Sequence, residues 1–250
     1  MDFLANYFSS LNPMSFLSAL PGNIAQGIIW GLMGLGVFLT FKLLNFADLS
    51  VDGSFATGGA VTAVMLINGC PVWATIIVAI LAGLAAGLVT GLLHTLLGIP
   101  DILAGILTQI ALYSINLNIM GKSNLPISYR NYTLVVSASN INMAILVGLG
   151  ICAVVVAAMY WYFGTEQGST IRSTGSNPAM SKAQGININF TKVIALALSN
   201  GLVALSGSLF AQYQGFADIN MGRGAIVIGL AAVIIGEVLG EAIFRKHMNF

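Results

Sequence analysis

The sequence predicts an all-α, polytopic membrane protein, and three observations lead to this fold class. Of the 250 residues, 57% are hydrophobic and only 7% are charged, whereas soluble domains carry roughly 25% charged residues. The mean hydropathy is +0.91. Several segments also reach the roughly 20 apolar residues that a membrane-spanning helix needs. A net charge of +1 lacks the excess of basic residues that binding to nucleic acid requires. We therefore expect the chain to contact the lipid bilayer and not a nucleic acid.

Six segments are predicted to span the bilayer because of their length and apolar composition. They cover residues 22–41, 72–97, 102–120, 141–163, 193–213 and 225–243. The breaker Gly98-Ile99-Pro100 separates the second from the third, and the sixth carries Glu237 and Glu241 in its last two turns.

A seventh apolar segment, residues 55–67, is too short to cross the bilayer comfortably. It follows a polar stretch, residues 45–54, within otherwise apolar sequence. Irregular backbone at membrane depth survives only where protein or a water-filled cavity satisfies its polar groups. We therefore predict a broken or re-entrant element here, which gives six to seven spanning or re-entrant helices.

Basic residues predict the orientation, because loops rich in Lys and Arg stay on the cytoplasmic side. The longest polar loop, residues 164–189, is placed inside, and the other loops are threaded outward from it. Six basic residues then lie inside: Lys42, Arg172, Lys182, Lys192, Arg245 and Lys246. Three lie outside: Lys122, Arg130 and Arg223. The N-terminus is predicted to lie outside if residues 55–67 cross fully. If they do not, the count of crossings differs by one.

Small residues mark one face of the second span, where Gly83, Gly87 and Gly91 recur every four residues after Ala79. Such a stripe lets helix backbones approach closely in lipid. The pattern favours a packing face within the chain, and a subunit interface is the alternative.

An internal repeat links two short polar segments. Phe46-Ala47-Asp48-Leu49-Ser50 resembles Phe216-Ala217-Asp218-Ile219-Asn220, and Gly59 falls opposite Gly229 in the same register. On the predicted topology the first copy lies at the inner face and the second at the outer face, which indicates an inverted repeat typical of transporters. The helices at 72–97 and 102–120 then lack later counterparts. We therefore expect a C-terminal truncation by about two helices.

Carboxylates near membrane depth are candidates for function by default. Asp48 and Asp52 share one face if helical. Capping of a helix that starts near Ser54 is the favoured role, ahead of direct substrate or ion contact or a water-exposed position. Asp218 and Asn220 inherit the same alternatives, and Ser50 and Ser54 also belong to the candidate set.

A second polar patch lies on the predicted third span, at Asn116 and Asn118. Buried amides are usually hydrogen-bonded to neighbouring helices, so that role leads, and lining of a pore is second. His94, at the end of an apolar helix, is expected to be structural.

No catalytic or cofactor motif is present in the sequence. Ser-His-Asp, HExxH and GxxxxGK[ST] patterns are all missing, so the chain is not expected to hydrolyse ATP itself. Cys70 and Cys152 are distant from each other and give neither a metal site nor a disulfide framework. An intramembrane enzyme is therefore a weak hypothesis.

The loop at residues 164–189 carries the most specific pattern in the chain. It resembles the cytoplasmic loop of permease subunits in the branched-chain amino acid and ribose class of ABC importers. The matching residues are Arg172, Gly175, Asn177, Ala183, Gly185 and Ile186. Ser173 stands where the family usually has Ala. Residues 45–55 are similar to the motif after the first helix, most closely in the uncharacterised or tryptophan and tyrosine branch.

The resemblance implies a single permease domain over residues 1–250, in the plasma membrane. The first repeat is expected at about 23–120, the coupling loop at 164–189 and the second repeat from 190. Two copies, expected to be a homodimer, would form a path for a small solute, for which an aromatic or branched-chain amino acid is the expected class.

The resemblance also implies partners. An extracytoplasmic binding protein would deliver the solute, and cytoplasmic ATPase subunits, which bring ATP and magnesium, would grip the coupling loop. Glu166 and Pro178 complete the expected coupling set. Asn177-Pro178 signals a helix stop or turn, and residues 181–184 are predicted to form a short docking helix. The alternative is an ion-gradient-driven transporter or channel that uses Asp48 and Asp52.

Overall fold

The structure is a computed structural model that describes residues 13–127 and 134–244. Within those ranges it contains nine α-helices, namely α1 (Pro13–Val37), α2 (Val51–Ile67), α3 (Val72–Leu96), α4 (Asp101–Met120), α5 (Ile141–Phe163), α6 (Glu166–Ser176), α7 (Pro178–Ala183), α8 (Ile188–Gln214) and α9 (Ala225–Phe244). A π-helix (Phe38–Leu43) continues α1 without a break and is included in the end of α1. Six helices, α1 with this extension among them, are long and apolar enough to cross a membrane. They coincide with the six predicted spans, so the all-α polytopic fold class is confirmed.

Local sequence sets most helix ends. Pro71 and Pro100 immediately precede α3 and α4, where a missing backbone donor costs nothing. Gly121 ends α4 with φ 67°, a left-handed conformation that glycine adopts without strain. The start of α8 was predicted too late, because Asn187 Oδ1 accepts the Phe190 amide at 3.2 Å and begins the helix a turn and a half earlier.

The helix α8 forms the centre of the bundle and packs against α1, α2 and α3. Its close neighbour is the glycine stripe of α3. A Cβ at Gly83 or Gly87 would overlap a carbonyl oxygen of α8, and one at Gly91 would lie 2.9 Å from Val193 Cα. The stripe is therefore a packing face between two helices of the same chain, which was the favoured prediction, and α8 covers it.

The helix α2 starts inside the bundle and not at its surface. It has 17 residues, about 26 Å at 1.5 Å per residue, and it follows irregular backbone that contains the buried Phe46, Asp48 and Ser50. Its start lies beside the middle of α4, since a Cβ at Gly53 would lie 3.2 Å from Gln109 Cα. The predicted broken element is therefore a single buried helix with an irregular entry.

Contacts at the helix ends define two faces. At one face α5 passes into α6, and Lys192 near the start of α8 lies 2.9 Å from His94 Nε2 near the end of α3. At the other, Tyr213 near the end of α8 donates a 2.9 Å hydrogen bond to the Gly22 carbonyl of α1. His94 is structural, as expected, because its Nδ1 also bonds to the Ile99 carbonyl oxygen at 2.9 Å.

The first of these faces carries Lys42, Arg172, Lys182 and Lys192, which makes it the cytoplasmic face by the basic-residue rule. Lys122 lies at the opposite end of the bundle, and α1 begins there too. Arg130, Arg245 and Lys246, which entered the predicted charge count, lie outside the described residues. Lys42 pairs with Glu237 of α9 at 2.6 Å, so α9 runs toward the cytoplasmic face.

A small sheet at the outer face was not predicted. Strand β1 (Asn124–Pro126) pairs antiparallel with β2 (Phe216–Asp218), with Leu125 opposite Ala217. The second copy of the repeat thus begins as a strand, whereas the first copy, from Phe46, has no strand structure. The difference arises because only the second copy lies beside the loop that follows α4.

Candidate functional site

The two copies of the repeat share one turn. The Ser50 amide donates to Asp48 Oδ1 at 2.9 Å, and the Asn220 amide donates to Asp218 Oδ1 at 2.7 Å. After this turn α2 runs outward and α9 runs inward. The two segments therefore share this turn, and the helices that follow it run in opposite directions across the bundle, as in an inverted repeat.

Asp48 belongs to a closed network that joins the irregular segment to α8. Its Oδ1 also accepts the Ser50 hydroxyl at 2.5 Å, and its Oδ2 accepts the Asn200 side-chain amide at 2.7 Å. Asn200 Oδ1 in turn accepts the Ser54 hydroxyl at 2.5 Å. All four side chains are buried. The predicted capping of α2 by Asp48 is wrong, because the helix begins at Val51 and its N-cap has no side-chain bond.

Asp52 is a capping residue, but for a different helix than predicted. Its carboxylate accepts the Gly224 amide at 3.0 Å and the Ile226 amide at 2.9 Å. These amides belong to the start of α9, where unpaired donors and the helix dipole favour a negative charge. The N-terminal ends of α2 and α9, one from each repeat, therefore meet at a single carboxylate.

A cavity of about 280 Å³ opens beside this meeting point. It lies between the start of α2, the middle and outer part of α4, and the loop that leads into α9. Its walls are formed by Asp52, Gly53, Ala56, Gln109, Ile110, Tyr113, Asn116, Ile219 and Arg223. The cavity thus combines a few polar side chains with an apolar wall, as small-molecule sites do.

Asn116 lacks the hydrogen-bonded neighbour that its sequence context led us to expect. It is 1% exposed, and neither its Oδ1 nor its Nδ2 has a partner within the described residues. Asn118 points elsewhere and is exposed. The predicted patch is therefore split, and of the two amides only Asn116 borders the cavity. Asp218 and Asn220 lie at the outer end of the same loop, where Asn124 Nδ2 donates to Asp218 Oδ2 at 3.3 Å.

The predicted coupling loop is mostly helical. Its first part, α6, was not predicted and is fixed to the membrane helices. Arg172 Nη2 donates to the Phe163 carbonyl at the end of α5 at 3.0 Å, and Ile171 is buried in an apolar cluster with Leu39 and Leu196. At Gly175 a Cβ would overlap the Leu43 carbonyl oxygen. The helix α6 therefore cannot move without the ends of α1 and α5.

The second part of the loop, α7, is a short exposed helix. Asn177 ends α6 and caps α7, since its Oδ1 accepts the Met180 amide at 3.0 Å, and Pro178 is the first helical residue. Gly185 follows with φ +83° and open space around it. The short helix predicted from residue 181 thus starts three residues earlier, because the Asn-Pro pair begins it.

Most of the remaining coupling candidates point outward from this loop. Glu166 and Ala183 are exposed, whereas Ile186 is partly covered. Met180, which was not predicted as a coupling residue, is also exposed, at 58%. Ser181 is the buried exception on α7. Its hydroxyl donates to the Asn177 carbonyl of the same helix at 3.1 Å. The helix α7 packs against α6 and α8, so one of its faces is covered and the other is exposed.

Sequence reasoning missed three residues of these sites: Asn200, Gln109 and Arg223. A signal existed for Asn200, because an amide in the middle of an apolar helix is a candidate for function or packing. Gln109 carried the same signal. Arg223 was assigned only to the outer loop, since its approach to α4 depends on how the chain folds back after β2.

Comparisons with known proteins agree with these features. Residues 22–243 match the family described as the permease component of branched-chain amino acid transport systems. The chain is 45% identical to a tyrosine transport system permease protein of Clostridioides difficile, over 89% of this chain and 74% of that protein. It is 32% identical to an uncharacterized protein of Rickettsia prowazekii, over 90% and 78% of the two chains.

A more distant relative is the D-allose transport system permease protein of Escherichia coli, which is 28% identical over 92% of this chain and 71% of that protein. No solved structure matches the chain significantly.

Proposed function

The chain belongs to the family of permease components of branched-chain amino acid transport systems, and from this premise we propose that it forms, with a second copy of itself, the path of an amino acid across the plasma membrane. As a family member it is the membrane-spanning subunit of an ABC importer, and ATP hydrolysis belongs to a separate subunit. The observation that carries the proposed substrate class is its 45% identity to a tyrosine transport system permease protein.

The path runs past the cavity between α2 and α4. A cavity where the N-terminal ends of α2 and α9 meet within the bundle fits the place where transporters bind solutes, near the middle of the membrane. The outer side of α4 beside the cavity is apolar and unpartnered in one copy, with Leu103 47%, Ile110 61% and Leu117 42% exposed. A second copy packed on this side closes the cavity into a path, which supports the homodimer.

The coupling loop receives force from the ATPase through α7. The exposed side of α7 presents Met180, Lys182 and Ala183 to a partner. Movement of α7 passes to α6, which Arg172 and Gly175 join to the ends of α5 and α1. Closure of the ATPase subunits therefore displaces the cytoplasmic ends of the helices that surround α8.

An ion-gradient-driven transporter is less well supported. Both oxygens of Asp48 already accept hydrogen bonds from Ser50 and Asn200. Both oxygens of Asp52 accept backbone amides of α9. A transported cation would have to displace these donors, whereas a structural role leaves them in place.

Reconstitution of the purified chain in liposomes tests the proposal. With its ATPase subunits and the loaded binding protein, we expect ATP-dependent uptake of radiolabelled L-tyrosine. The chain alone should show no uptake under a proton or sodium gradient. Gradient-driven uptake by the chain alone would refute the proposal.

The docking role of α7 has its own test. Met180→Asp places a charge on the exposed apolar side chain and should reduce the ATPase recovered with the permease at least about tenfold, which corresponds to about 1.4 kcal/mol. Ser123→Asp, an exposed position at the outer face, is the control and should retain full recovery. Equal recovery with both variants would exclude docking through α7.

A further inference from the structure

We propose that the cavity at the start of α2 is a recognition site of the permease itself, in which Arg223 and Asn116 bind the carboxylate of the transported solute. This inference rests on the proposed function, since it assumes that the cavity lies on the transport path. It adds to that path a step at which the permease itself selects solutes with a carboxylate, through Arg223 and Asn116.

Asn116 is the first observation. Buried side-chain amides in folded proteins nearly always have hydrogen-bond partners, and an exception calls for an explanation. Here a 1% exposed amide lines a cavity and has no partner for Oδ1 or Nδ2 within the described ranges. Both polar atoms are closed to solvent in this conformation, so a solute supplies that partner when the Asn116 side chain turns toward the cavity that it borders. The Nδ2 group donates to a carboxylate oxygen, and Oδ1 is available to a donor of the same solute.

The charge of the cavity is the second observation. Arg223 is exposed and forms no ion pair within the described chain, so its guanidinium can donate two parallel hydrogen bonds to a carboxylate. Asp52 is the acidic group of the wall, but two amides at the positive end of α9 already balance it. The first turn of α2, at Asp52 and Gly53, adds its own positive end. The cavity therefore favours an anionic group over a cationic one.

Size and the remaining wall narrow the class of solute. A volume of about 280 Å³ lies just below the roughly 300–1,000 Å³ of sites for drug-sized molecules, which suits a single amino acid. Ala56, Ile110 and Ile219 provide an apolar side for its side chain, and the Tyr113 ring borders the same space. A neutral sugar would leave Arg223 unpaired and place hydroxyl groups on this apolar side.

Direct binding to the permease–ATPase complex, purified without the binding protein, tests the site. The probes are L-phenylalanine, 3-phenylpropionate, 2-phenylethylamine and D-allose, each followed by isothermal titration calorimetry. L-Phenylalanine and 3-phenylpropionate carry the carboxylate and should bind. 2-Phenylethylamine, which lacks it, and D-allose should bind at least tenfold more weakly.

Variants assign the binding to the cavity. Arg223→Gln and Asn116→Leu should each weaken L-phenylalanine binding at least tenfold, and Arg223→Lys should retain part of it. Lys122→Gln removes a positive charge outside the cavity and should bind as the unchanged protein does. If Asn116→Leu fails to fold, the exposed Arg223 variants decide the result.

The inference is overturned if 2-phenylethylamine binds as tightly as 3-phenylpropionate, if no probe binds, or if Arg223→Gln has no effect. Each of these results is compatible with intact ATP-driven uptake by the complete importer. If the importer without any substitution shows no ATP-driven uptake, the proposed function is refuted instead. The two failures are therefore distinguishable.

Discussion

Asn200 joins three polar side chains of the irregular segment to the middle of α8, although the helix around it is largely apolar. Its amide bonds to Asp48, and its Oδ1 lies 2.5 Å from Ser54 Oγ and 3.2 Å from Ser50 Oγ. Inside a protein a fully satisfied polar network specifies one arrangement, and a partly satisfied one is costly. The position of the irregular segment therefore depends on this residue.

Replacement of Asn200 by Leu should destabilise the permease, because it leaves buried groups on Asp48 and Ser54 unpaired. The expected cost is about 1–3 kcal/mol for each such group. Thermal unfolding in detergent measures it. Asn118→Leu, an exposed amide on α4, is the control and should change stability little. Similar unfolding temperatures for both variants would contradict the structural role of the network.

The contact between α3 and α8 gives a second prediction for a single residue. Gly87→Ala places a methyl group against the Leu196 carbonyl, and overpacking of this kind typically costs about 1–3 kcal/mol. Gly150→Ala on α5 meets open space and is the matched control. The fraction of monodisperse protein after heating, measured by size-exclusion chromatography, should fall for the first variant and not for the second.

Single residues show what local sequence can and cannot predict. The helix stop at Asn177 followed from the Asn-Pro pair, which acts within three residues, whereas its second role as the N-cap of α7 was not predicted. The partner of Asp48 could not be predicted, because Asn200 lies 152 positions away. A similar distance hid the capping of α9 by Asp52, whose partners lie 172 and 174 positions away, because local sequence offered α2 as the nearer helix.

At the scale of elements, α9 depends on a cap that another helix supplies. Asp52→Ala removes the acceptor of the Gly224 and Ile226 amides, and loss of an N-cap costs about 0.5–2 kcal/mol. Hydrogen–deuterium exchange should therefore accelerate at the first turn of α9. Asp101→Ala, at the start of α4, is the control and should leave exchange at the first turn of α9 unchanged. Unaltered protection in the Asp52 variant would exclude the cap.

The end of α7 depends on a left-handed residue. Gly185 has φ +83°, which Asn tolerates and a β-branched residue does not. We expect Gly185→Asn to retain most ATP-dependent uptake and Gly185→Val to lose it, with both variants inserted in the membrane in equal amounts. Since a Cβ here meets nothing within 4 Å, equal uptake by both would show that the backbone conformation does not matter for coupling.

Spanning helices were predicted well because length and apolar composition alone identify them. The helix α6 was missed because its sequence is polar and short, and its stability comes from contacts with α5 and with the end of α1. The strands β1 and β2 were missed for a related reason. Each has three residues, too few for a periodic pattern, and pairing holds them.

At the scale of the whole molecule, the orientation is testable by chemical labelling. With Cys70 and Cys152 replaced by Ser, a cysteine at Met180 should react with a membrane-impermeant maleimide only from the cytoplasmic side. A cysteine at Ser139, exposed before α5, should react only from outside. The opposite pattern would reverse the assignment of faces that the basic residues give.

The domain layout and the second copy of the permease stay predictions, because a single chain carries no partner contacts. Disulfide cross-linking between the α4 helices of two copies tests whether a second copy packs there. A cysteine at Ile110, in a background in which Cys70 and Cys152 are replaced by Ser, should form a disulfide between copies, whereas one at Val154 on the exposed side of α5 should not.

The capping of α9 by Asp52 also bears on how the sequence can change over time. The carboxylate belongs to the first half of the chain, and the amides that it binds belong to the second. The two halves therefore share one constraint, even though each runs in its own direction. A substitution at position 52 therefore changes the start of α9 as well as that of α2, which couples the two copies of the repeat at this point.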